Sequence, residues 1–321
     1  MFDEELKVKA GLYAAMALTF IGYGGRYFGM EPVHNQFFVF AAWSYLLFLD
    51  NANYRLRGAS LFVSRTGEFA ALAAGSLVIF SLFELLNLRL GAWHYSSMPS
   101  TPAVRWTCRA LAWAALLPCV AVTSETLRAA RLDAGPAAPK LPLTPKLAKG
   151  LYIAGYSLLG LAFAAPRLFW PLAFPALALL AEPLAFRLGL PSLLRDWQAG
   201  RTGRTLRLAL AGMICGLLWQ NWNSAAGAHR LFDAPWAGPS LAGLPAAGFP
   251  AAAALALICY PLYGLLARLR GGDSWEEDWW PAPQAPLPAK ARLWAAAAAA
   301  LLCWAAFKAA DSAVLAYLGW V

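Results

Sequence analysis

The chain has 321 residues, 60% of them hydrophobic and only 13% charged, with a formal net charge of +9. A soluble domain carries roughly a quarter charged residues, so this composition excludes an ordinary soluble globule. The cations sort by loop instead of gathering on one stretch, which speaks against a nucleic-acid partner and for contact with anionic membrane lipids.

Apolar segments of the length needed to cross a bilayer core recur along the whole chain. They predict spans near 10–26, 36–50, 69–88, 104–127, 150–165, 168–186, 206–222, 247–267 and 293–317. The longest polar pieces, 128–149, 187–205 and 268–292, are only linker-sized. The expected fold class is all-α, a polytopic integral membrane protein with about nine transmembrane helices.

Asp3, Glu4 and Glu5 stand where a cleavable signal would be basic, so none is expected. Lys7 and Lys9 precede the first span, and Arg55, Arg57, Arg65, Arg128, Lys140, Arg195, Arg204 and Arg268 fall in loops on that same side. The opposite loops hold little beyond Arg26, Arg89, Arg105, Arg167 and Arg230. Cytoplasmic loops attract Lys and Arg, which predicts a cytoplasmic N-terminus and an extracytoplasmic C-terminus in a bacterial-type inner membrane. Cys108, Cys119, Cys215, Cys259 and Cys303 all lie in apolar spans without a Cys-x-x-Cys pair and read as small core residues.

Residues 83–95 read Phe-Glu-Leu-Leu-Asn-Leu-Arg-Leu-Gly-Ala-Trp-His-Tyr, and a weaker copy begins at Trp219. Glu84 becomes Gln220, Asn87 becomes Asn223 and Gly91 becomes Gly227. In the same order Asp50 falls on Glu182, Ser60 on Ser192 and Pro118 on Pro250, with a small insertion near 198–203. The common offset predicts two four-helix repeats, 1–129 and 149–270, joined by a cytoplasmic linker at 130–148. Units with an even number of spans enter the membrane in the same direction, so the repeats are parallel. Residues 271–321 add a Trp/Pro-rich interfacial segment and a ninth helix; its Trp275, Trp279 and Trp280 beside Glu276, Glu277 and Asp278 suit the headgroup zone.

Polar groups inside apolar spans are costly and usually functional. Glu84 and Asn87 lie one turn apart on one face near the outer leaflet, with Trp93, His94 and Tyr95 just beyond. One reading is helix-to-helix bonding with the aromatics in the interfacial belt. The sharper reading is a pocket in which Glu84 is a candidate catalytic acid and Asn87, Trp93, His94, Tyr95, Gln220 and Asn223 bind a ligand. Asp50, Asn51, Asn53 and Arg55 form a second cluster at the inner edge, expected to cap helix ends and pair charges. Lys308 and Asp311, one turn apart, predict an intrahelical ion pair. His34, His94 and His229 offer no buried haem pair and no third zinc ligand, so no metal is expected and no cofactor can be named. No phosphate loop, His-Glu-x-x-His or Gly-x-Ser-x-Gly is present.

Glu84, Gly91, Trp93 and Tyr95 together resemble the motif of the small membrane lycopene cyclase domains of bacteria and archaea. In those domains a helical acid precedes Gly-x-Trp-x-aromatic, and two such domains act together. The family's Pro-x-Glu-Glu element has only the differently spaced Pro118 and Glu125 as counterparts, and the second copy lacks the acid, Trp and Tyr. The resemblance implies acid-catalysed cyclisation of a polyene, with aromatic faces stabilising the carbocation. The functional expectation is therefore binding or conversion of an apolar lipid (isoprenoid, carotenoid or quinone), with a non-catalytic subunit of a larger membrane complex as the alternative. A transporter fits less well, because the spans hold few charges and no broken helix.

Overall fold

In the computed structural model, which describes residues 2–132, 135–136, 138–232, 238–241, 243–271, 274–276 and 287–317, the chain is largely helical. The first half runs α1 (Phe2–Tyr27), α2 (Phe37–Arg57), the single turn α3 (Leu61–Ser64), α4 (Thr66–Leu90), strand β1 (Trp93–Ser96) and α5 (Pro102–Ala129). The second begins with α6 (Pro145–Ala164), α7 (Pro166–Phe169) and a 3-10 turn, Trp170–Leu172. It continues with α8 (Ala173–Arg187), α9 (Leu193–Gln198), α10 (Gly203–Ala225) and strand β2 (His229–Phe232). A two-residue ribbon, β3 (Ser240–Leu241) and β4 (Leu244–Pro245), leads into α11 (Gly248–Ala267), and α12 (Ala289–Tyr317) follows.

Among the described residues six helical segments are long and apolar enough to cross a bilayer: Thr66–Leu90, Pro102–Ala129, Pro145–Ala164, Pro166–Arg187, Gly248–Arg270 and Ala289–Ser312. The architecture is all-α and consistent with a membrane protein. Helices α1, α2 and α10 are comparable in length, at 26, 21 and 23 residues, but are more polar. In α2 and α10 several of the responsible groups point into protein: Asp50, Asn51, Asn53 and Arg207 are all buried.

Proline and polar caps start many of these helices. Pro102, Pro145 and Pro166 open α5, α6 and α7, where a missing N–H costs nothing. Asp50 accepts Ser60 Oγ at 2.6 Å and Phe62 N at 3.1 Å, tying the end of α2 to the start of α3. Glu182 repeats the arrangement, accepting Ser192 Oγ at 2.6 Å and Leu193 N at 3.1 Å. These carboxylates satisfy backbone donors that a buried helix start would otherwise leave unbonded.

Helix α1 packs on α2, and α2 and α4 pack on α5; likewise α6 packs on α8, and α8 and α10 on α11. Between the halves, α5 meets α10 and α4 meets α11, while α12 lies along α4. Gly212 and Gly216, four residues apart on α10, face Ala252 and Ala256. Small residues at that spacing let two helix backbones approach closely. Segment 130–148 is bonded to segment 198–203: Ala138 N donates to Gly200 O and Thr202 Oγ1 to Pro136 O. Cys119, Cys215 and Cys259 are buried in the core, and all five cysteines are free.

Three expectations need correction. Trp275 and Glu276 do not sit in a wet interface. Trp275 is 1% exposed between the Tyr260 and Tyr263 rings, and Glu276 binds Arg204, Arg207 and Tyr260. The neighbouring Trp279 and Trp280 lie outside the described residues. Asp311 does not pair with Lys308, whose ammonium stands over the Trp106 ring. It pairs instead with Arg105 and Arg109 of α5, because α12 turns that carboxylate toward protein. Pro118 lies inside α5, whereas its supposed counterpart Pro250 is in the first turn of α11, so the two do different things to their helices.

Candidate functional site

Helix α4 ends at Gly91, whose φ of 58° is left-handed, a conformation glycine adopts without a Cβ penalty. The Asn87 side chain then captures the emerging backbone. Its Oδ1 accepts from Ala92 N at 2.8 Å and Trp93 N at 3.1 Å, and its Nδ2 donates to Trp93 O at 2.8 Å. The chain leaves extended, as β1. Alternation along a strand puts Trp93 and Tyr95 on one face, and both are buried, with His94 and Ser96 half-buried on the other.

That face looks back at Glu84, about two turns before the end of α4. Trp93 Nε1 donates to Glu84 Oε2 at 3.1 Å and Tyr95 OH donates to the same oxygen at 2.8 Å. Glu84 is 5% exposed. Its hydrogen-bond partners thus come from the strand after its own helix and not from another span. Trp93 and Tyr95 are not belt residues either, being turned inward by the β1 register. Burial, and then the Glu84 charge, push the Tyr95 phenol well above its usual value, so it remains a donor.

The second half builds the other side. Strand β2 pairs antiparallel with β1, placing Phe232 opposite Trp93, Leu231 opposite His94 and Arg230 opposite Tyr95. Asn223 does for β2 what Asn87 does for β1, accepting from Arg230 N and donating to Arg230 O, both at 2.8 Å. Gln220 does not join the group; its amide bonds Ser224 on its own helix at 3.3 Å. Phe232 and Phe174 flank the Trp93 ring at centroid distances of 6.1 and 6.5 Å. Phe174 also touches Phe83 and Trp170.

Two guanidiniums complete the surroundings. Arg109 lies 5.4 Å from the Tyr95 ring centroid and is held by Asp311 Oδ1 at 3.1 Å. Arg230 stands 5.5 Å from the Trp93 ring centroid and 4.9 Å from that of Phe232. Chemically, the arrangement is a buried carboxylate that accepts two hydrogen bonds beneath an aromatic wall drawn from both halves. Among the described residues no three His, Cys, Asp and Glu side chains come together as a metal site would require.

Sequence reasoning missed Arg109, Arg230, Phe174 and Phe232, since only folding brings them beside residues 84–95. One signal was present. Trp-His-Tyr after a glycine stop is a period-2 pattern, and His-Arg-Leu-Phe occupies the matching place in the second half. No protein-family model, characterised protein or solved structure matches this chain, and the resemblance to lycopene cyclase domains rests on residues 84–95 alone.

Proposed function

We propose that this is a multi-pass protein of a bacterial-type cytoplasmic membrane that binds or converts an apolar lipid of the isoprenoid, carotenoid or quinone type near the outer leaflet. One observation carries the reading: Trp93 and Tyr95 converge on one oxygen of the buried Glu84, and Phe174 and Phe232 from the other half flank the Trp93 ring. Such a wall offers apolar area and π-faces, and the carboxylate fixes the orientation of two of its rings. Because Glu84 accepts both bonds, its first role is to hold the wall; a proton-transfer role requires Tyr95 or the ligand to shift away.

The nine-span topology and the parallel repeats belong to the same proposal. Supporting duplication are the paired carboxylates Asp50 and Glu182, each bonding a serine ten residues on, and the paired Asn87 and Asn223. An antiparallel β1–β2 pair is what a two-fold axis along the membrane normal generates between strands lying in the membrane plane.

The test is to purify the protein in mild detergent, extract what comes with it and compare it by mass spectrometry with the whole membrane. We expect an isoprenoid-class molecule enriched over bulk lipid and lost from Trp93→Ala. Phospholipid in bulk proportions, unchanged by that substitution, would end the reading. A second reading, a subunit of a larger complex, is favoured by the outward face of α12, where Leu293, Trp294, Leu301 and Trp304 are exposed. Native electrophoresis of the solubilised membrane, revealing a larger assembly, would support it.

A further inference from the structure

The lipid site proposed above contains a guanidinium with no hydrogen bond or ion pair among the described residues. Arg26 donates to Ala225 O, Arg89 to Phe163 O, and Arg105 and Arg109 to Asp311. Arg230, half-buried at the same end of the molecule, differs from these four: among the described residues its guanidinium has no hydrogen bond or ion pair and stands near the rings of Trp93 and Phe232. Among the described residues no carboxylate forms an ion pair with it; Glu84 Oε2 accepts from Trp93 and Tyr95 instead. Nor is Arg230 loosely placed, because Asn223 grips its backbone at both N and O. The arrangement is a cation beside two aromatic rings, its N–H groups without a hydrogen-bonded acceptor among the described residues. Beside it Phe232 and Leu231 are 47% and 37% exposed, so apolar surface continues outward from the cation.

We infer that Arg230 recognises an anionic oxygen headgroup, phosphate or carboxylate, on an amphiphile whose chain rests against Trp93 and Phe232. This rests on the lipid-binding reading and narrows it, because a carotenoid or a quinone has no such headgroup. Guanidinium is suited to the task. It stacks on aromatic faces, it is weakly hydrated, and its fork of donors matches the oxygens of a phosphate or carboxylate. Neutral apolar ligands would leave it without an acceptor, which disfavours them in a partly dry site.

The experiment titrates farnesyl phosphate, farnesol and inorganic phosphate onto the full-length protein in neutral-detergent micelles, with bound species counted by native mass spectrometry. Farnesyl phosphate should bind about tenfold or more tightly than farnesol, as a charge-assisted hydrogen-bond pair implies. Arg230→Gln should erase that preference, while Arg167→Gln, an exposed outer cation outside the site, should preserve it. If Arg230→Gln yields no folded protein, Arg230→Lys decides. It keeps the charge but loses the planar fork, and should weaken farnesyl phosphate while leaving farnesol unmoved. Equal binding of farnesyl phosphate and farnesol, both weakened by Phe232→Ala, would overturn the anionic headgroup and leave lipid binding standing. Full competition by millimolar inorganic phosphate would overturn the amphiphile in favour of a free-anion site. Binding of none of the three would remove both proposals.

Discussion

Tyr95 OH lies 2.8 Å from Glu84 Oε2, across the turn that carries the chain from α4 into β1. The contact exists because three local devices act in series. Gly91 stops the helix, Asn87 seizes the next backbone groups, and strand alternation then aims Trp93 and Tyr95 at the same side. The polar groups in this part of the chain are thus matched to one another before any ligand arrives.

Replacing the acceptor should therefore matter more than replacing the charge. Glu84→Leu leaves the Trp93 and Tyr95 donors buried without a partner, and an unmet buried donor costs about 1–3 kcal/mol. Glu84→Gln keeps an oxygen in place and repeats the residue found at 220, so its loss should stay within about 1 kcal/mol. Thermal unfolding of the purified variants in one detergent checks this. Equal destabilisation by both changes would mean that the charge itself holds the strand. If Glu84→Gln folds well but loses whatever conversion the co-purified lipid reveals, proton transfer becomes the accepted role.

The Tyr95 phenol sets an alkaline limit. Its ionisation is raised in the folded state by burial and by Glu84. In the unfolded chain it releases its proton near its ordinary value of about 10. Above that pH the unfolded state binds fewer protons than the folded one, so stability falls as pH rises and is undiminished below it. Melting temperatures between pH 8 and 11 should fall less for Tyr95→Phe than for the parent protein. Parallel curves would show that Tyr95 contributes nothing to the alkaline loss.

Much of the fold was legible because hydrophobic period and helix punctuation are local. Pro102, Pro145 and Gly91 mark ends of helices that the structure contains. The carboxylate–serine pairs were visible as an aligned Asp50 and Glu182, although their purpose, capping α3 and α9, needed coordinates. What sequence could not supply was direction. Helix spacing alone points Asp311 toward its surface neighbour Lys308, but packing α12 along α4 turns the carboxylate to Arg105 and Arg109 of α5. Tryptophan's preference for interfaces makes Trp275 an expected anchor; its burial between Tyr260 and Tyr263 is a tertiary fact. At the candidate site, Glu84, Trp93 and Tyr95 could be listed from sequence. Their partners from 174, 230 and 232 could not, lying 79 or more residues away in the chain.

The α12 clamp can be tested by charge removal. Asp311 accepts from Arg105 at two atoms, from Trp106 Nε1 at 2.7 Å and from Arg109 at 3.1 Å. Asp311→Ala leaves two buried guanidiniums without their counter-charge, a change that typically costs about 3–5 kcal/mol. Lys308→Ala loses one cation–π contact and should cost at most about 1 kcal/mol. Limited proteolysis in detergent should release α12 from the first variant well before the second. Equal rates would mean that apolar packing on α4 alone retains the helix.

The proposed orientation in the membrane rests on loop charge and is checked by labelling. With Cys108 and Cys303, the two partly accessible cysteines, replaced by serine, single cysteines are placed at exposed Ser240 and Lys140. Lys140 is preferable to Gly135 in the same linker, where a Cβ would collide with the backbone of Gly203. An impermeant maleimide added to intact cells should modify the cysteine at 240 and reach the one at 140 only after permeabilisation. Ser240 belongs to the β3–β4 ribbon, beyond β2 and on the side of the Arg230 site, so its labelling also reports which leaflet faces the proposed lipid. The opposite pattern would invert the topology, move the Glu84 site to the cytoplasmic leaflet and make the Lys- and Arg-rich loops extracytoplasmic, against the charge bias that governs insertion.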